Sequence, residues 1–372
     1  MKIAYFHSSA IPSRTANSIQ VVKMCYALAK NGNNVTLLAP NSTNKEIGIK
    51  CIYSYYGVNR IFKIKLLPFI AFIGSGLLYH ILSYFYVKLL NPDLIYSRSI
   101  GILYKFHKLK IPIVYEAHHP PNAMSRQRIN KLIKTGYLKN IVVISNELRN
   151  IFIREMAGIE EYIIVAHDGA ELHDNRQIIS NNINIDKSKT SVIYVGHLYQ
   201  GRGVNIIIEL AKRCKWAEFT LVGGNEKEIK YWSSKISGLD NINLLGYIEP
   251  SKTHSIRLSA DILIAPYQND VLIGTGVNTA KYMSPLKVFE YMSARKPIVL
   301  SDLPVLKEII THGENGWICD PDNINEWVSA LEKLRVDKEL SEYIAQNAYD
   351  DFKKKYTWDE RAKFILDKII FD

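Results

Sequence analysis

Short runs of β-branched and aliphatic residues recur along this chain, each followed by a segment with helical spacing, and this alternation leaves few architectures open. The first set is MKIAYFHS (1–8), NNVTLLAP (33–40), DLIYSRS (93–99), PIVYEAHH (112–119), NIVVISN (140–146) and YIIVAHDG (162–169). Apolar residues stand at successive positions, so both faces of each strand must be covered, which is the condition of a parallel sheet wound on both sides by helices. Between the first two runs, Ile19, Val22, Tyr26 and Ala29 fall on one helical face and Gly32 ends it, giving a βαβ unit. The pattern then restarts with TSVIYVGHL, EFTLVGG, NINLLGYI, ADILIAPY, KPIVLSD and NGWICD. Residues 171–190 between the two sets are Asn- and Asp-rich without periodicity and read as a linker. The expected organisation is an α/β chain of two doubly wound, Rossmann-like domains facing across a cleft. Their expected bounds are 1–172 and 191–355, with 173–190 as linker and 356–372 as a C-terminal helix returning to the first domain. Asp322 is the expected N-cap of the helical tail, and Thr357 with Glu360 offers a capping box.

Composition narrows the partners. Cys25, Cys51, Cys214 and Cys319 have no CxxC spacing, so neither a disulfide framework nor a zinc site is expected, and a reducing cytoplasm fits. The N-terminus enters a strand directly, without the apolar core of a signal peptide. Of the formal charge of +11, residues 1–172 carry 21 Lys+Arg against 9 Asp+Glu, whereas the remainder carries 26 against 27. A basic first half prefers an anionic partner. No zinc-finger or RNP-type motif is present, so nucleic acid is not expected. Residues 66–87 form 22 positions without Asp, Glu, Lys or Arg. A spanning helix there would split strands of one sheet between two sides of a membrane; a buried helix or a surface-inserted one remains. Lys63, Lys65, Lys88 and the basic stretch SRQRINKLIKTGYLKN (125–140) favour contact with an anionic membrane surface.

The most specific stretch is SPLKVFEYMSARKPIVLSDLPVLKEII (284–310). Glu290 within it is either an i,i+3 partner of Lys287 on a partly exposed surface or a carboxylate placed for a ligand. Ser284 can N-cap a helix with Pro285 first, leaving the N–H groups of Leu286 and Lys287 to face an anion. In order, VGHLYQGRGVNIIIELA (195–211), ADILIAPY, the SPLKVFEYM segment and HGENGWICDPDN, with the early TANSIQVVKMCYALAKNGNNVTLLA, resemble family 4 of the glycosyltransferases. These are retaining nucleotide-sugar transferases of the GT-B fold, here the subgroup with a Ser-Pro-Leu-Lys-x-Phe-Glu-Tyr-Met motif.

The resemblance implies that the helix N-terminus meets a nucleoside diphosphate, that Glu290 accepts from its ribose hydroxyls and that Arg202, before Gly203, neutralises the diphosphate as it leaves. Gly196, Gly246-Tyr247 and Pro266-Tyr267 match strand ends lining the nucleotide. His118, in PIVYEAHH, matches the residue beside the transferred sugar, with His119 as the neighbouring register. Asp168-Gly169 matches a turn closing the first domain. Three departures stand out. His197 occupies the place of an arginine, Tyr282 that of a sugar-contacting glutamate, and SAIPSRTANS (9–18) that of a Gly-Gly loop, leaving Asn17 and Ser18 as expected helix caps. Backbone N–H groups from Gly274 to Val277 are then expected to engage the donor sugar.

Without an evident carboxylate nucleophile, front-face transfer is expected, with no metal and no cofactor; Asp320-Pro321-Asp322 reads as a helix cap. The expected function is transfer of a sugar from a nucleoside diphosphate sugar to a lipid-linked or membrane-presented glycan acceptor on the inner face of the cell membrane, in surface polysaccharide or O-antigen biosynthesis. The alternatives are a soluble transferase acting on a small metabolite, a nucleotide-sugar epimerase needing acid/base carboxylates, and a non-catalytic nucleotide-sugar-binding partner subunit.

Overall fold

A computed structural model describes residues 1–41, 48–68, 77–173, 188–272 and 277–369. Gly274, most of the expected linker and part of the 66–87 run lie outside the described residues. The chain forms two compact units, Met1–Asp168 with Trp358–Asp372 (unit 1) and Gly169–Thr357 (unit 2).

Unit 1 is a parallel sheet of β1 (Lys2–Phe6), β2 (Asn34–Asn41), β3 (Lys63–Pro68), β4 (Leu94–Ser97), β5 (Ile113–Ala117), β6 (Leu138–Val143) and β7 (Ile163–Val165). Its spatial order is β3-β2-β1-β4-β5-β6-β7. The order reverses between β1 and β4, the switch point at which open α/β sheets bind ligands. The sequence patterning missed β3, because KIKLLP reads as the opening of the following apolar run. It is an edge strand with Lys63 and Lys65 exposed, charges that discourage further pairing. Thr15, rather than Asn17 or Ser18, caps helix Ala16–Lys30, its side chain accepting from Ser18 N. Ser18 turns inward instead and donates to the Ala10 carbonyl at 3.1 Å. Helix Trp358–Lys368 packs on Ala16–Lys30 within this unit. The apolar run ends in helix Leu77–Leu90, and no described helix is long and apolar enough to cross a membrane.

Unit 2 contains β8 (Thr190–Val195), β9 (Ala217–Val222), β10 (Ile242–Gly246), β11 (Ile262–Ala265), β12 (Ile298–Ser301) and β13 (Trp317–Cys319), all parallel, in the order β10-β9-β8-β11-β12-β13. Alternate residues feed opposite cores. Ile193, Val195, Leu263, Ala265 and Leu300 pack with Phe289 and Met292, whereas Val192, Tyr194, Ile262, Ile264 and Val299 pack with Ile207 and Trp327. Each large side chain so buried contributes about 1.5–3 kcal/mol, and a polar residue on either face would forfeit it. Asn323, not Asp322, is the N-cap of helix Ile324–Val336. Asp320 and Asp322 are occupied locally, Asp320 Oδ1 accepting from Asp322 N at 2.9 Å and Asp322 Oδ2 from Asn269 at 2.8 Å.

The switch point of unit 2 lies between β8 and β11, and close backbone approach shapes it. Gly203, the N-cap of helix Val204–Arg213, has φ +83°, and a Cβ there would stand 1.7 Å from the Pro266 carbonyl oxygen. Gly203→Ala should therefore lower unfolding free energy by about 3 kcal/mol or more, through clash and strained backbone together. Chemical denaturation followed by tryptophan fluorescence checks this; an unchanged midpoint would rule out the close approach.

Candidate functional site

In unit 2 the expected donor residues gather around one ring. Tyr267 follows β11, is 1% exposed, and carries the Arg202 guanidinium carbon 5.4 Å and the Lys287 ammonium 4.8 Å from its centroid. Lys287 Nζ also lies 3.8 Å from the centroid of Tyr194, the penultimate residue of β8. Among the described residues, neither Lys287 Nζ nor Arg202 Nε, both buried atoms, has a hydrogen-bond partner. Burial, then the Arg202 charge, holds the Lys287 ammonium well below its ordinary pKa, with Glu290 acting in the opposite direction. His197 stacks on Tyr199 with centroids 4.7 Å apart, and its carbonyl accepts from Tyr194 Oη at 2.5 Å. Burial first, then Arg202 and Lys287, push its imidazole down to about 4, so at neutral pH it is uncharged.

Helix Leu286–Ser293 supplies the rest. Its N-cap is Pro285, with no side-chain cap, so the helix begins one residue later than a Ser284 cap would set it; Ser284 is buried. The N–H groups of Leu286 and Lys287 are first-turn donors with no intrahelical acceptor. Glu290 does not pair with Lys287. Arg257 Nη1 donates to Glu290 Oε2 at 3.2 Å and to Thr253 Oγ1 at 3.0 Å. Arg257 is 3% exposed and Glu290 about a third, so a buried cation orients a carboxylate that still reaches solvent. Gly196 ends β8 and Gly246 ends β10, and Gly223 N donates to the Gly246 carbonyl at 2.8 Å. Tyr247 follows at that outer strand, two strands from the switch. Tyr282 is 6% exposed, in a loop held by Asn278, whose Oδ1 accepts from Val271 N and Ala280 N at 3.0 Å. A cavity of about 630 Å³ opens beside the Gly201 to Gly203 turn, lined by Tyr199, Glu228, Trp232 and Gln268 and without Lys287 or Glu290 in its wall.

In unit 1 a buried carboxylate organises the carboxyl ends of β4 and β5. Glu116 is fully buried and accepts from Gln20 at 2.5 Å, Tyr96 Oη at 2.5 Å, His118 Nε2 at 2.7 Å and Arg361 Nη2 at 3.1 Å. Arg361 also donates from Nε to the His167 carbonyl at 2.7 Å. Burial opposes ionisation, but Arg361, His118 and Arg98 outweigh it and hold Glu116 well below the carboxylate range. His118 is pushed down to about 3, chiefly by burial and then by Arg98. The contact is thus a hydrogen bond from a neutral imidazole, with the proton on Nε2 because a carboxylate only accepts. His119 next door is exposed; His118 is the one held.

Residues 175–351 match the family described as Glycosyl transferases group 1. An uncharacterized glycosyltransferase of Methanocaldococcus jannaschii is 24% identical over 281 residues, 72% of either chain. The alpha-D-kanosaminyltransferase of Streptomyces kanamyceticus is 24% identical over 165 residues, 42% of this chain and 39% of that one. Among solved structures, the Anabaena protein HepE in complex with UDP superposes with a TM-score of 0.71 at 16% identity, covering 99% of each chain. The chain is a glycosyltransferase. Its two parallel sheets are those of the GT-B fold.

In this glycosyltransferase Glu116, His118 and Asp168 also place three metal-ligating atoms within 4.8 Å of one another. The donor set does not fit a cation. Glu116 is saturated by four donors, and the Arg361 guanidinium stands 3.1 Å from Glu116 and 4.0 Å from Asp168. Arg361 itself carried no signal in the sequence, since its partner lies 245 positions away. The charge of Glu116 inside the apolar run PIVYEAHH was the clue. Tyr194 was legible only as a strand residue, whereas Tyr267 stood among the strand-end positions that the resemblance sets along the nucleotide.

Four histidines, His7 and His254 buried and His118 and His197 half-buried, give the glycosyltransferase a defined acid response. His7, His118, His197 and His254 are pushed down to about 3, 3, 4 and 2, in each case mainly by burial, so the unfolded chain binds more protons than the folded one below the ordinary histidine pKa. Their stability is complete above about pH 6.5 and declines as pH falls toward 4. Asp168, raised to about 6 by burial, acts oppositely. Unfolding near pH 5 should take up roughly three protons, so stability should drop by about 4 kcal/mol per pH unit there. Denaturation midpoints from pH 7 to 4.5 check it, and a flat profile would contradict the neutral state of these rings.

Proposed function

We propose that this glycosyltransferase transfers a sugar, with retention, from a nucleoside diphosphate sugar bound on unit 2 to a membrane-presented glycan acceptor. The observation that carries the donor assignment is the Arg202 guanidinium over Tyr267, at the same switch point as the open helix N-terminus at Leu286 and the solvent-reaching Glu290. A diphosphate matches the cation and the N–H groups, and ribose hydroxyls match the carboxylate. HepE is solved with UDP and with UDP-glucose, which makes uridine the first base to test.

Retention rests on the resemblance of the SPLKVFEYM segment, and Tyr282, standing where the resemblance implies an acid, supports front-face transfer over a carboxylate nucleophile. As the bond from the anomeric carbon to the diphosphate breaks, Arg202 and the helix N-terminus stabilise the departing oxygens, and one of those oxygens accepts the acceptor hydroxyl's proton. The new bond forms on the face just vacated. The resemblance assigns His118 to the transferred sugar, and its neutral imidazole suits a hydroxyl rather than a charge. No metal or cofactor enters this scheme.

The acceptor side rests on unit 1. Helix Leu77–Leu90 exposes Ile81, Phe85 and Leu89 at 44%, 63% and 84%, a stripe at four-residue spacing. Lys88 is exposed beside them and Lys63 and Lys65 on the edge strand. An apolar stripe rimmed by cations fits an anionic lipid surface, which supports reading the enzyme as peripheral on the inner face of a membrane, in surface polysaccharide assembly. A second reading, a nucleotide-sugar-binding subunit without turnover, is favoured by the uncharged His197 and by Tyr282. Hydrolysis or transfer of donor by the isolated chain decides between the two.

In a thermal-shift panel of UDP, GDP, CDP and ADP, one nucleotide should raise Tm without magnesium, and Glu290→Gln should weaken its binding about tenfold. Arg202→Ala should lower turnover roughly a hundredfold. Full activity in both variants would sink the assignment. Phe85→Glu with Leu89→Glu should abolish flotation with phosphatidylglycerol liposomes while leaving nucleotide binding intact; undiminished flotation would remove the membrane contact.

A further inference from the structure

Unit 2 holds a buried cation that the donor reading has not used. Lys287 is 8% exposed, and among the described residues its Nζ has no hydrogen-bond partner. Nearby His197, where the resemblance implies an arginine, is uncharged at neutral pH. An ammonium out of water without an anion or an acceptor is costly, and a chain retains one only where something completes it.

The described surroundings offer no hydrogen-bond acceptor. Lys287 Nζ is fenced by the faces of Tyr194 from β8 and Tyr267 from the end of β11. The charged and titratable groups that face it are Arg202 from the loop before helix Val204–Arg213, His197 from the end of β8, those two tyrosines, and Glu290 on its own helix. Glu290 is committed to Arg257 instead. Ring faces stabilise a cation modestly but accept no full charge. Arg202 shares the Tyr267 ring and adds repulsion. Room for the ammonium is made by Gly196, where a Cβ would come within 2.8 Å of Nζ. The ammonium therefore lies directly against the backbone at the carboxyl end of β8, beside the residue that has lost its charge.

We infer that the Lys287 side chain is the second cation of the diphosphate site, replacing the charge absent at His197 and compensated only when a diphosphate is bound. This rests on the donor reading of unit 2 given above. Two converging cations require a ligand with several anionic oxygens, which a nucleoside diphosphate has and a nucleoside lacks. Binding the dianion restores the ammonium's affinity for its proton, so donor binding also takes up a proton over the pH range in which the ligand-free amine titrates.

The test compares wild type with Lys287→Met, a side chain of similar length without charge, by calorimetric titration with UDP, GDP, CDP and ADP and the matching monophosphates. Lys287→Met should lose about thirtyfold in affinity for the diphosphate that wild type binds and clearly less for its monophosphate. The ligand-free variant should melt no lower than wild type, since an uncompensated buried charge has gone; a lysine serving only to pack would give the opposite sign. Should the variant aggregate, wild type alone supplies the reading: in a series from pH 7 to 10 the binding enthalpy should differ between buffers of unlike ionisation enthalpy by a net proton uptake that passes through a maximum. His197, with its low pKa, cannot be the source of that proton. If wild type binds none of the four diphosphates, the donor reading itself fails. If it binds one and Lys287→Met keeps the same affinity and phosphate preference, or if wild type shows no proton uptake, the donor reading stands and the role of Lys287 is overturned.

Discussion

Two basic side chains without a counter-ion among the described residues, Arg202 and Lys287, meet at the carboxyl edge of the β8 to β13 sheet, and holding them there is the constraint on which the local design of unit 2 depends. Parallel strands bring all their carboxyl ends to one edge, and the β8/β11 reversal opens a gap there. Arg202 and Lys287 enter that gap from different elements and meet over one ring. The rest of the local design follows from holding them. Tyr194 and Tyr267 offer faces, Gly196 offers room, and Gly203 lets the Arg202 loop press on Pro266. The sheet core makes this arrangement affordable, because two fully packed faces supply far more than one uncompensated ammonium costs.

Unit 1 resolves the opposite problem in the opposite way. Its buried charge, Glu116, is fully answered by Arg361, Tyr96, Gln20 and His118. Such a network is high-stakes: complete, it fixes each member; deprived of one, it leaves a buried carboxylate exposed to its own desolvation cost. Arg361 belongs to the chain's last helix, so unit 1 is closed only when the chain has returned to it. The two units thus show a satisfied charge that organises structure and an unsatisfied one that calls for a ligand.

What the sequence made legible is what short-range physics dictates. Strand runs, the restart of the pattern and the Gly203 and Pro285 breaks are local, and the two parallel sheets followed from them. The edge strand β3 was hidden because a half-exposed strand of six residues merges with the apolar run after it. Helix starts slipped by a residue or two, at Thr15, Pro285 and Asn323, because several capping residues sit side by side and tertiary packing chooses among them. Glu290 read as either a partner of Lys287 or a carboxylate placed for a ligand; its protein partner is neither on its own helix nor near in sequence but Arg257, 33 positions earlier. Pairings of that separation leave no periodicity to read.

That partner bears on the chemistry. With Arg257 nearly inaccessible and donating to it, Glu290 is oriented as an acceptor, the role a ribose hydroxyl requires and a covalent nucleophile does not. Tyr282 brings no carboxylate, and the uncharged His118 is already donating to Glu116. In the proposed scheme unit 2 supplies cations, N–H groups and an oriented acceptor, and the acceptor hydroxyl's proton leaves with the leaving group. A diphosphate oxygen facing a guanidinium, a helix N-terminus and a lysine side chain then receives the charge that develops in that scheme.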